Sequence, residues 1–242
     1  MAAPVVEDVV DPYRYAATDM EFTLPRWSLG KMQNPIRGFL HGSAAVAGVL
    51  GTIALLTYAD TWSSRVAALI FGLAIVGLYT TSSLYHAVPW QERWKKRMQR
   101  ADRSMIYVLI AGTYTPFAVI VLDSPLRWIM LALIWGIAIA GATQQALFPK
   151  VSGNVPVALA TTLGWLALLF IWPIAQRLGW VPVMWLAVGG LVYTIGMVLL
   201  VTNRPRMWPR VFSYHELFHV MTLVATAAHF LAIWRYVLPY AG

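Results

Sequence analysis

Seven long apolar runs, joined by segments too short to hold another domain, constrain this chain more than any other feature. A helix needs about 20 mostly apolar residues to cross a bilayer. The runs lie at Gly38–Tyr58, Ser64–His86, Met105–Leu122, Leu126–Phe148, Val155–Gln176, Val181–Thr202 and Tyr214–Leu238. They predict an all-α fold, a seven-transmembrane helical bundle. Residues 1–37 are expected to form a tail and residues 38–242 the membrane domain. The third run is short unless its start moves back to Asp102. The longest connections, Ala87–Ser104 and Asn203–Ser213, are both basic.

Composition agrees. The chain is 59% hydrophobic and 12% charged, where a soluble domain is about 45–50% apolar and about 25% charged. With no cysteine, disulfides, thiolate metal sites and cysteine nucleophiles are excluded. Any transition metal must use His, Asp or Glu. The net charge of +8 would suggest nucleic acid in a soluble protein. Here the cations lie between apolar runs and encode topology, so the partners expected are membrane lipids and no nucleic acid.

The tail mixes Glu7, Asp8, Asp11, Asp19 and Glu21 with Arg14, Arg26, Lys31 and Arg37, and has no apolar stretch. It reads as a short cytoplasmic tail and not as a secretory signal. On its side of the membrane fall fourteen of the basic residues, the densest group being Arg93, Lys95, Lys96, Arg97, Arg100 and Arg103. The other side holds Arg65, Arg127, Arg177 and Arg235. The positive-inside rule then puts the N-terminus in the cytoplasm and, after seven spans, the C-terminus outside. Small residues recur within the spans at Gly38 and Gly42, Gly72 and Gly77, Gly136 and Gly141, and Gly189-Gly190. They are expected to let helices approach closely.

Ionisable groups inside spans are costly and tend to be functional. Those here are His41, His86, Asp102, His215, Glu216, His219 and His229, with Ser82 and Gln144-Gln145 as neutral additions. His86 closes the second span, Asp102 opens the third, and His215 and His219 open the seventh. Three separate spans thus bring polar residues to one depth at the cytoplasmic edge. A single histidine there would ordinarily bond a carbonyl or a lipid phosphate. The set as a whole points to a metal.

His215 and His219 share a helix face at i, i+4 spacing. Ser82 sits one turn deeper than His86 at the same spacing. Three neutral imidazoles with one open position make a zinc site of the catalytic type. Asp102 then accepts a hydrogen bond from a bound water or acts as its base, and Ser82 orients that water.

The run Ser82-Ser83-Leu84-Tyr85-His86, then Asp102, then His215-Glu216-Leu217-Phe218-His219 resembles the hemolysin III family, grouped with the progestin and adipoQ receptors. The resemblance covers the whole chain in span count, orientation and motif order. It implies a Zn²⁺ site with His86, His215 and His219 as ligands and Asp102 and Ser82 beside it. It also implies a bacterial cytoplasmic (inner) membrane and, from eukaryotic relatives, ceramidase-like hydrolysis of a lipid substrate. In the first span only the His-Gly part of the family pattern is kept, within Arg37-Gly38-Phe39-Leu40-His41-Gly42. His41 is therefore expected to lie outside the site.

Other readings stay open. His215-Glu216-Leu217-Phe218-His219 also fits the zincin pattern with Glu216 as base, which would make an intramembrane metalloprotease. A receptor or pore-former with structural zinc is the non-enzymatic class. A retinal protein is excluded because the seventh span has no lysine. His229 lies ten residues, about 15 Å, beyond His219 along the helix and is expected to be a buried, hydrogen-bonded side chain.

Overall fold

Pro35 opens the first helix, α1 (Pro35–Tyr58). Proline suits that position because its missing N–H would have no partner there. The computed structural model describes residues 34–148, 154–208 and 211–241. The expected tail therefore lies outside the described residues up to position 33, as do Lys150 and Arg210 of the inner basic set. Arg37 belongs to α1 and not to a tail. After α1 come α2 (Trp62–Ala87), α3 (Glu92–Pro116), α4 (Leu126–Leu147), α5 (Asn154–Trp165), α6 (Ile171–Leu178), α7 (Trp180–Thr202) and α8 (Tyr214–Ala232). No strand occurs among the described residues. Seven helical segments are long and apolar enough to cross a membrane, α5 and α6 forming one of them.

The segment Ala87–Ser104 is not the loop its charge suggested. α3 starts at Glu92 and runs unbroken into the apolar stretch. Arg, Lys, Gln and Met are good helix formers, and no Gly or Pro interrupts residues 92–111. Charge ends a hydropathy run without ending a helix. Asp102 consequently sits within a continuous helix, ten residues from its start.

Two prolines reshape the spans. Pro116 lacks an N–H and crowds the carbonyl four residues back, and the next turn, Phe117–Val121, widens to a π-helix. Pro173 removes the donor that Leu169 would have used, and Leu166–Phe170 tightens to a 3₁₀ turn between α5 and α6. Backbone groups freed inside lipid need new partners. Tyr114 supplies them: its hydroxyl lies 3.1 Å from the Leu163 carbonyl and 2.6 Å from the Gly164 carbonyl, and accepts the Ala167 N–H at 2.7 Å.

The bundle packs α1 on α2, α2 on α3, α3 on α4 and α7 on α8, and α1 also meets α8. α3 is the most enclosed span. Close approach uses some of the expected glycines and not others. A Cβ at Gly72 would lie 2.3 Å from Thr52 Oγ1, one at Gly141 2.5 Å from Tyr107, and one at Gly189 2.2 Å from His229 Nε2. Gly136 and Gly190 face open space. Val46, Leu50, Ile53, Leu169 and Trp172 are exposed on the outside, as lipid contact requires.

At the end away from the histidines, three of the four sparse cations hold helix ends. Arg65 Nε donates to the Ala59 carbonyl at 2.9 Å and Arg127 Nε to the Leu122 carbonyl at 3.0 Å. Arg177 donates to the Val121 carbonyl and to the Asp123 carboxylate. The guanidinium holds the exposed Asp123 carboxyl below its ordinary value. These residues cap carbonyls that the helices leave unpaired.

Candidate metal centre

His86 is the penultimate residue of α2. Its backbone carbonyl accepts the N–H of Asn34 at 3.1 Å, so the start of α1 pins the end of α2. His215 and His219 occupy the first two turns of α8. That start is tied down by Glu216. One carboxylate oxygen accepts the Ser213 N–H at 2.9 Å, and the other takes Arg37 Nε of α1 at 2.6 Å. Such a reach from the third helical residue to the N-cap is half of a capping box.

The three histidines expected as ligands come together. One ring nitrogen from each of His86, His215 and His219 lies within 4.8 Å of the other two. The rings of His215 and His219 stack at 5.0 Å, and His86 stands edge-on to both at 5.3 and 4.8 Å. His86 and His219 are buried and His215 is half-buried. His219 Nε2 is buried with no hydrogen-bond partner. An unpaired buried nitrogen is expensive, and a metal ion would complete it. Ligand bonds of about 2.0–2.1 Å bring tetrahedral donor atoms to about 3.4 Å apart, so side-chain adjustments of roughly an ångström close the site. The residues fit a metal of the imidazole-binding kind.

Ser82 is buried one turn before His86, and its hydroxyl interacts with the Asp102 carboxylate of α3. The Ser-His face of α2 is thereby joined to α3. His229 lies elsewhere, half-buried rather than fully buried, with its Nε2 3.2 Å from the Leu186 carbonyl.

His41 departs from expectation. It is 3% exposed, and its Nε2 lies 2.8 Å from His219 Nδ1. The departure has a plain physical origin. α1 packs against both α2 and α8, and the first helix turns after Arg37 carry His41 to the level of His219.

A polar string that sequence reading did not identify continues inward from there. Thr222 Oγ1 donates to the His219 carbonyl at 2.7 Å. Tyr79 OH bonds Thr226 Oγ1 at 2.7 Å, and Tyr193 OH meets the same oxygen at 2.6 Å. The only available signal was Thr222 and Thr226 at i+3 and i+7 from His219, a pattern ordinary in membrane helices.

Below the histidines the bundle encloses a cavity. Its lining runs from Phe218 and Thr222, beside the histidines, past Leu109 and Thr161 to Leu186 and His229. Nearly all of its wall is apolar.

The fold and this cluster define an integral membrane protein of seven spans with a three-histidine cluster between the second and last of them. The chain belongs to the hemolysin III family: the family described as Haemolysin-III related matches residues 30–230. It is similar to Hemolysin-3 of Bacillus cereus, 32% identical over 205 residues that cover 84% of this chain and 90% of that one. A Hemolysin-3 homolog of Bacillus subtilis (strain 168) is 28% identical over 199 residues, covering 81% and 90%. Human Monocyte to macrophage differentiation factor is 25% identical over 202 residues, covering 82% of each chain. That relation extends to the progestin and adipoQ receptor group, as the motifs implied.

Proposed function

We propose that this protein hydrolyses an amide or ester bond of a membrane lipid at the cytoplasmic leaflet, with Zn²⁺ held by His86, His215 and His219. The observation that carries the reading is the buried, unpaired His219 Nε2 facing two further imidazoles, with Asp102 and Ser82 alongside. Zinc in such a site supplies Lewis acidity at a scissile carbonyl. The chain supplies the rest. An Asp102 carboxylate oxygen takes a proton from the attacking water and returns it to the departing amine or alcohol. Ser82 holds that carboxylate in place. Water adds to the carbonyl carbon, the C–N or C–O bond breaks, and a fatty acid leaves. The cavity reaching from Thr222 and Phe218 toward His229 suits the acyl chain.

Purified protein in lipid nanodiscs, given a panel of N-acyl and O-acyl lipids, is expected to release fatty acid only when zinc is loaded. Asp102→Asn is expected to retain zinc and lose about 10²–10⁴-fold of the rate, the usual contribution of a proton-transferring group. A broad panel giving no turnover with fully loaded protein would overturn the hydrolase.

That outcome would favour a receptor or pore-former with structural zinc. One observation supports this second reading: the three histidines come from α2 and α8 alone, so a metal would staple those helices together. The metalloprotease reading has less support, because both Glu216 oxygens already accept hydrogen bonds, from Arg37 and Ser213.

The orientation belongs to the same proposal. The inner cations support a cytoplasmic histidine cluster, and the Bacillus relatives support a bacterial cytoplasmic membrane. Reporter fusions are expected to read a cytoplasmic N-terminus and an external C-terminus. Both ends on one side would overturn the topology.

A further inference from the structure

We propose that His41 is a positioning residue of the metal centre, one that orients His219 by accepting a hydrogen bond from its Nδ1–H. The inference rests on the metal reading above and adds a fourth histidine that touches no metal itself.

The tautomers follow from the contacts. Thr222 Oγ1 gives its proton to the His219 carbonyl at 2.7 Å. It has none left for His41 Nε2, 3.5 Å away. His219 Nδ1 lies 2.8 Å from His41 Nε2 and 3.1 Å from His41 Nδ1, so a hydrogen sits between the two rings. His219 Nε2 is the buried nitrogen with no partner, on a ring packed against the other two imidazoles. A neutral imidazole that offers its Nε2 lone pair carries its hydrogen on Nδ1. The hydrogen between the rings therefore belongs to His219, and His41 accepts it.

A metal-binding histidine usually gives its other ring N–H to a carboxylate, carbonyl or water, which fixes the ring and raises its basicity. Here an imidazole from a different helix fills that place. Its own position is set by packing, its ring standing edge-on to Tyr79 at 4.9 Å. Tyr79 is fixed in turn by Thr226 and the Thr222 carbonyl. α1 reaches His86 through its backbone carbonyl but reaches His219 through a ring nitrogen, so the ring geometry of His219 depends on α1.

The test compares zinc affinity by competition with a chromophoric chelator, using the full-length protein in detergent. His41→Leu keeps the volume and removes the acceptor. Zinc affinity is expected to fall about 10–100-fold, the usual cost of losing such a partner. His41→Asn restores an acceptor and is expected to recover most of the affinity. The visible spectrum of the Co²⁺-loaded protein is expected to shift in His41→Leu and return toward wild type in His41→Asn. Metal-free melting temperatures of both variants check folding. Unchanged zinc affinity in His41→Leu would overturn the proposal. Equal weakening in His41→Leu and His41→Asn would also overturn it, because ring packing and not the hydrogen bond would then matter. Failure of the wild-type protein to bind zinc at all would instead sink the metal reading on which this one depends.

Discussion

Replacing His215 or His219 with alanine is expected to remove most of the zinc from purified protein, measured as metal per chain after gel filtration against a weak chelator. Zinc binds with about four ligands at about 2.0–2.1 Å. The wild-type cluster offers three imidazoles, and either substitution leaves two. No other residue can step in easily. His41 is turned toward His219 Nδ1, and His229 is bound to the Leu186 carbonyl far along α8. Glu216 is held by Arg37 and Ser213. Asp102 belongs to α3 and interacts with the Ser82 hydroxyl of α2. His86→Ala is expected to behave alike, since its loss also detaches the ion from α2. Ser82→Ala and Asp102→Asn leave the three imidazoles untouched and are expected to keep much of the metal. The contrast between the two groups separates residues that bind the ion from residues that act beside it. Full zinc occupancy in His219→Ala would place any metal elsewhere.

Stripping the metal with a chelator is expected to lower the melting temperature in detergent on the order of 10 °C, by the usual scaling for a chain of this size. A ligand that binds only the folded state stabilises it by RT ln(1 + [L]/Kd), about 4 kcal/mol at a thousandfold excess over Kd. The size of the effect follows from where the histidines sit. His86 ends α2 and the other two begin α8, so a shared ion joins the second span to the last. Restoring zinc should restore the transition, and His219→Ala should show no response to either treatment. An identical melting curve with and without zinc in the wild type would mean that no ion ties these helices together.

Much of this molecule was legible in its residues. Hydropathy alone marks seven spans, because lipid admits long apolar runs only as spanning helices. The i, i+4 pair of His215 and His219 is local, so its shared face needed no tertiary information. His86 and Asp102 could be brought to the same depth by counting spans, since each span returns the chain to the opposite membrane face. Motif order did the rest in pointing to the hemolysin III family.

Boundaries were less legible where charge and helix continue together. α3 begins ten residues before Asp102 because Arg, Lys and Gln favour a helix as much as they disfavour a bilayer. The glycine pairs showed that close contacts exist but not which member makes them. Gly72 meets Thr52 and Gly189 meets His229, while Gly136 and Gly190 face open space. Only the rotation of each helix about its axis decides that, and rotation is set by neighbours.

The same limit applies to the metal centre. Sequence determined which residues reach the same membrane edge, because depth is fixed by rise per residue and by the number of spans. It did not determine which way each side chain turns. Tertiary packing placed His41 of α1 against His219, directed Glu216 to Arg37 and Ser213 and away from the cluster, and left His219 Nε2 unpaired between His86 and His215. These are contacts between helices distant in sequence. Their geometry depends on how α1, α2 and α8 are rotated and packed together, which no local spacing encodes.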